Sequence, residues 1–144
     1  MFDLSSKRGD SRGQRALDQS QLKYEVDEQG DFRLVFGLEN GRSQMLFVNS
    51  GTERFYDLEI REVWSLAIGL PGLPEPGLML YLLKQNREAK FGSWRIGEDG
   101  KGGHYVLFAA QVNADADADT LFSMMEMVMH QADGLEAMFG RDDY

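Results

Sequence analysis

Four carboxylates in the last third of the chain stand at the spacing of a calcium loop. Asp115, Asp117 and Asp119 alternate, and Glu126 falls at the twelfth position counted from Asp115. An EF-hand takes its ligands in that order, but its sixth position has to be glycine for the chain to turn sharply, and a helix has to lead in. Here the sixth position is Thr120, and the residues ahead of Asp115 read as a strand. From Leu121 onward the apolar residues Met125, Val128, Ala132, Leu135 and Phe139 recur at intervals of three and four, so Glu126 belongs inside a helix and not at the end of a loop. The aspartates are better explained as a helix start. Asp117 or Asp119 accepts hydrogen bonds from the free amides of the first turn, where negative charge also suits the helix dipole.

The other residue types that carry chemistry form no constellation. There is no cysteine, hence no thiolate nucleophile, disulfide or zinc-thiolate site, and two histidines, His104 and His130, cannot make a multi-histidine metal centre. Ser65, Ser93 and Ser123 lack the surroundings of a nucleophile elbow, and no phosphate-binding glycine loop is present. Glu62 falls among the apolar, even-numbered positions of a long alternating run, so either a bulge rotates it outward or it is a buried functional carboxylate. No catalytic residue, metal ligand or cofactor site is expected.

The methionines and tryptophans suggest a surface instead. At a hundred degrees per residue, Met124, Met125 and Met129 lie on or beside the apolar stripe of the last helix, whereas Met127 and Met138 share the opposite flank. Flexible, polarizable methionine side chains on such a flank suit a partner surface. Trp64 and Trp94 are core residues by type, and good anchors for a partner wherever they are exposed. The candidate interface residues are therefore Met127, Met138, Trp64 and Trp94.

These residues are positioned by an alternating pattern that begins at Leu22. LKYEV and FRLVFGL read as a hairpin with Phe32, Leu34, Phe36 and Leu38 on one face, and Asn40-Gly41 turns the chain into the strand SQMLFVN. Phe55 to Ile68 reads as one long strand, with Tyr56, Leu58, Ile60, Trp64, Leu66 and Ile68 toward the core and Asp57, Glu59 and Arg61 toward water. All three prolines fall between Gly69 and Gly77, a connection leading to an amphipathic helix over residues 78–88. Residues 90–96 and 103–112 form a second hairpin, whose latter strand is apolar on both faces and therefore central or covered. The fold class is α+β: an antiparallel sheet of five to six strands with helices packed on it, in the order (α)-β-β-β-β-α-β-β-α.

With 144 residues, one domain is expected: a basic flexible leader over residues 1–13, a domain over 14–140 and an acidic tail over 141–144. The net charge of −9 opposes binding to nucleic acid and to anionic membranes. No signal peptide or membrane-spanning run is read, so the expected compartment is the cytoplasm.

Several segments together resemble the YbjN family: LKYEVDEQGDFRLVFGLENGRSQMLFV, GLMLYLLKQNREAKFGSWRI, GHYVLFAAQV and DADTLFSMMEMVMHQADGLEAMF, including Leu82, Leu83, Asn86 and the pair Ala132-Asp133. The resemblance implies a type III secretion chaperone-like fold and a non-enzymatic bacterial protein, described as a regulator of sensory transduction and related in fold to chaperones that dimerise and hold peptide segments. It brings no catalytic residues. The function expected is a protein-interaction module, a homodimer acting as a regulator or peptide-binding chaperone. Two alternatives stand beside it. A dedicated secretion chaperone would have one client; a small hydrolase or metal-dependent enzyme would need a polar pocket gathering Glu62 or His104 with other ionisable groups.

Overall fold

The computed structural model describes residues 8–144. The chain runs through α1 (Ser11–Gln19), β1 (Glu25–Val26), β2 (Phe32–Gly37), β3 (Ser43–Val48), β4 (Glu53–Phe55), β5 (Leu58–Leu70), α2 (Pro76–Glu88), β6 (Ser93–Glu98), β7 (His104–Asn113) and α3 (Ala118–Met138). Alternation of apolar and polar residues makes the strands, and the turn residues between them leave antiparallel pairing as the short route. The result is the α+β class expected, with a sheet of seven strands in the order β1-β2-β3-β5-β7-β6 and β4 paired to β5.

The extra strand arises where one long strand was expected. The chain reverses after Phe55 through a two-residue turn at Tyr56 and Asp57, with Tyr56 at a φ of 55°, and Phe55 pairs back onto Leu58. β1 shrinks to two residues opposite Phe32 and Arg33. β7 lies between β5 and β6, consistent with its two apolar faces.

β5 also reverses the expected facing. The buried positions are the odd ones, Arg61, Val63, Ser65 and Ala67, and Ile68 joins them through a bulge between Leu66 and Ile68. Trp64 and Leu66 are half-buried on the outer face. Inward-facing Arg61 and Ser65 are tolerated because each is hydrogen-bonded, and Ala67 is small and fully buried. Glu62 is therefore neither swung out by a bulge of its own nor buried. It shares the outer face with Trp64 and pairs with Arg95 at 2.8 Å.

The core lies between this inward face and the helices. α3 crosses β3, β5 and β7 and presents Leu121, Met125, Val128, Ala132 and Leu135, all buried, as its spacing predicts. Phe139, the next position in that series, lies beyond the helix as its C-cap and is exposed. α1 begins at Ser11, so residues 11–13 of the expected flexible leader are helical; residues 1–7 of it lie outside the described part of the chain. Gly13 lets α1 approach closely, since a Cβ there would stand 3.1 Å from the Phe32 ring and 3.3 Å from the Arg61 guanidinium. α2 buries Leu82 alone and contacts β6.

Candidate interaction surfaces

Asp117 is the N-cap of α3: its carboxylate accepts the Thr120 N–H at 2.8 Å, and that bond holds its pKa below the ordinary value. β7 runs up to Asn113, so the element ahead of the aspartates is a strand, and Glu126 sits well inside the helix. Glu126 instead borders a cleft of about 590 Å³ between the β2–β3 turn and α3, with Phe36, Leu38, Phe122, Met129 and His130.

Glu62 and His104 do not converge. Glu62 stands opposite Gln111 on β7, whereas His104 stands opposite Leu70 at the far end of the same strand pair. The His104 Nδ1 lies 2.9 Å from the Gly72 carbonyl, a contact that fastens the proline-rich connection to the sheet.

The four candidate interface residues separate by depth. Trp94 offers no surface in the folded chain: it is 8% exposed and meets Phe108 edge-on, with ring centroids 5.0 Å apart. Asn86 at the end of α2 fixes it there, accepting the Trp94 N–H at 2.6 Å and donating to its carbonyl at 3.2 Å. Trp64 is half-buried, stacked on Phe47 with centroids 4.3 Å apart and its Nε1 donating to Asn49. Met127 packs partly against the core, beside a groove shared with Phe91 and Met124. Met138 is 65% exposed and receives the Tyr81 hydroxyl at 3.7 Å. The two methionines share a helical projection but not an environment.

Around Met138 the sequence reading missed the larger feature. Next to buried Leu82, α2 leaves Leu80 54% and Leu83 67% exposed, with Met79 and Tyr81 also outside. Apolar side chains gathered on one short helix differ from scattered surface leucines, and patches of this kind mark interaction sites. The signal was present in GLMLYLL: seven residues with six large apolar or aromatic members leave more than one helix face can bury.

Two polar clusters hold the frame and were not foreseen. At one end, Asp10 caps α1 through the N–H groups of Arg12 and Gly13 and accepts from the buried Arg61 at 2.8 Å. Arg61 also donates to the carbonyls of Asn49 and Ala114, and Arg12 forks onto Glu59 with two bonds of 2.9 Å. Although burial opposes it, the hydrogen bonds and charges of Arg12 and Arg61 hold the Asp10 carboxyl far below its usual range, and Arg12 lowers Glu59 to about 2. At the other end Arg42 bridges from the β2–β3 turn to α3, donating to Asp133 at 2.8 Å and to the fully buried Glu136 at 3.3 Å. Burial raises the Glu136 carboxyl above its ordinary value even with Arg42 beside it. The carboxylates of Asp133, Glu136 and Asp142 come within 4.8 Å of one another, and the Arg42 guanidinium supplies the countercharge.

The fold and these surfaces define a small α+β protein with an exposed apolar face on α2 and, among the described residues, one cluster of converging carboxylates, two of which are paired with Arg42. The chain matches no protein-family model, no curated protein and no solved structure. None of its helices among the described residues is long and apolar enough to cross a membrane.

Proposed function

We propose that the chain is a non-enzymatic protein-interaction module that self-associates through α2, as a regulator or peptide-binding chaperone of the YbjN type. The observation that carries this reading is the face of α2: Leu80 and Leu83 lie outside on a helix that buries only Leu82. Exposed Met138 borders α2 through its contact with Tyr81. A second copy meeting it would cover leucines that otherwise stay in water, at about 25 cal/mol for each Å² of apolar surface removed. The resemblance to YbjN supports the same reading from the sequence.

The test is the mass in solution by light scattering at micromolar concentration. The 144-residue chain is expected to have the mass of a dimer, and Leu80→Glu with Leu83→Glu to have that of a folded monomer. Both residues are exposed in the single chain, so their replacement leaves the core untouched. A monomer mass for the unaltered chain would overturn self-association, and an unaltered dimer in the double variant would remove α2 from the interface.

A further inference from the structure

β3 and β5 are paired only at Phe47 with Trp64 and Val48 with Val63. Toward Ser43 and Leu70 the strands part, and side chains meet several backbone groups that a neighbouring strand would have met. Gln44 Nε2 donates to the Leu66 carbonyl at 2.6 Å and to the Ser65 hydroxyl at 2.8 Å, and that hydroxyl donates to the Met45 carbonyl. Arg141 donates to the Gly69 carbonyl at 2.7 Å, while Asp142 accepts the Ser43 N–H at 3.1 Å. A split sheet of this kind presents inner edges that another extended segment can engage.

Residues 141–144, read from the sequence as an acidic tail, lie across that split. They form no helix or strand, and they are held by isolated hydrogen bonds: the two just named, the Arg141 N–H given to the Glu136 carbonyl at 3.2 Å, the Asp143 N–H given to the Glu136 carboxylate at 2.8 Å, and the Tyr144 carbonyl taking the Ser43 hydroxyl at 3.5 Å. Their aromatic residue, Tyr144, closes one side of a hollow of about 390 Å³ whose other walls include Trp64, Leu66, Leu70, His104 and Tyr105. Gly69 makes room for it, because a Cβ there would stand 3.3 Å from the Tyr144 hydroxyl oxygen. Apolar walls with a few polar groups at the rim are the makeup of a ligand site.

We infer that this hollow is a recognition site for an extended peptide that carries an aromatic residue shortly after an acidic one, with residues 141–144 as its built-in occupant. The chemistry of the partner is read from the segment already seated there. An acidic side chain takes the Ser43 N–H next to Arg42, and a ring two residues on forms one wall of the hollow that Trp64 also lines. The segment is displaced when the partner arrives, since both would use the same donor and the same hollow. The inference rests on the protein-interaction reading for the class of ligand, but it uses the sheet and not α2.

The test is fluorescence anisotropy of a labelled Gly-Arg-Asp-Asp-Tyr peptide titrated with the unaltered chain, with Tyr144→Ala, and with Arg141→Ala and Tyr144→Ala combined. The unaltered chain is expected to bind at least tenfold more weakly than either variant, and a peptide ending in Ala to lose at least tenfold on the variants. Equal binding by all three proteins, or no saturable binding to variants that melt as cooperatively as the parent, would overturn the inference. The mass of each sample is measured alongside. A monomer that binds the peptide would refute association through α2 alone, and a dimer that ignores it would refute the peptide site alone.

Discussion

Arg61 brings a full charge to the inward face of the sheet, where its side chain is 1% exposed. Such a charge is tolerable because three oxygens surround it, from Asp10, Asn49 and Ala114, and one of them is anionic. Asp10→Ala removes the anion and the α1 cap together and leaves the guanidinium with two carbonyls. The expected loss is on the order of 3 kcal/mol, from the stranded buried charge and the lost cap. Arg61→Met added to Asp10→Ala should recover part of it, because the uncompensated charge is then gone. Urea unfolding of the two variants decides this: a cost below about 1 kcal/mol for Asp10→Ala, or no recovery in the double variant, would mean that the pair is no more than a surface contact. From the sequence, Arg61 was placed toward water, because alternation was read from apolar residues alone. Its partner lies 51 positions away, and nothing local announces such a pair.

At the scale of elements, the end of β7 and the start of α3 were the most legible part of the chain. Periodicity gave the apolar buried residues of α3 as far as Leu135, though not the buried Asp133 and Glu136, and the alternating aspartates gave its start, because a cap is a local interaction between a side chain and amides two or three residues on. Asp117→Ala is therefore expected to lower the melting temperature more than twice as far as Asp115→Ala or Asp119→Ala does. Thermal unfolding of the three single variants checks the assignment, and equal effects at all three positions would refute it. Added millimolar calcium should leave the melting temperature of the parent unchanged, since Asp117 already serves Thr120 and Glu126 sits in a neighbouring cleft. β5 was less legible for a physical reason. Trp64 and Leu66 look like core residues, yet among the described residues the sheet face that α3 packs against is the one that holds Val63, Ser65 and Ala67. Which side receives α3 depends on contacts between distant segments. The tight turn at Tyr56 and Asp57 was hidden for a related reason, since neither residue is glycine or asparagine and the alternation runs through it unbroken. The same limit applies to the candidate surfaces: the excess of leucine in α2 is visible in the letters, whereas the seating of Tyr144 is not.

For the whole molecule, the ionisable groups pull stability in opposite directions as pH falls. Asp10, Glu59 and Asp117 have folded values below their ordinary ones, so each contributes stability above about pH 4 that is lost on further acidification. For Glu59 the loss runs down to about 2. Glu136 has the opposite sign. Its folded value lies above the ordinary one, so the fold binds a proton that the unfolded chain has already released, and stability falls as pH rises through that window. With a net charge of −9, relief of general repulsion adds a gain on mild acidification, which salt screens. In about 0.5 M salt the chain should accordingly be more stable near pH 5 than at pH 7, and lose stability steeply below about pH 4. Glu136→Gln should reduce the gain on mild acidification by the part that this carboxyl supplies, because the amide has no proton to take up, while leaving the acid loss in place. Its carbonyl can still accept the Asp143 N–H, so the 141–144 segment keeps that anchor. Urea midpoints at pH 7, 5 and 3 for the parent and the variant measure both limbs. If the variant gains as much as the parent on going to pH 5, the rise belongs to net charge and not to the carboxyl buried between Arg42 and the 141–144 segment.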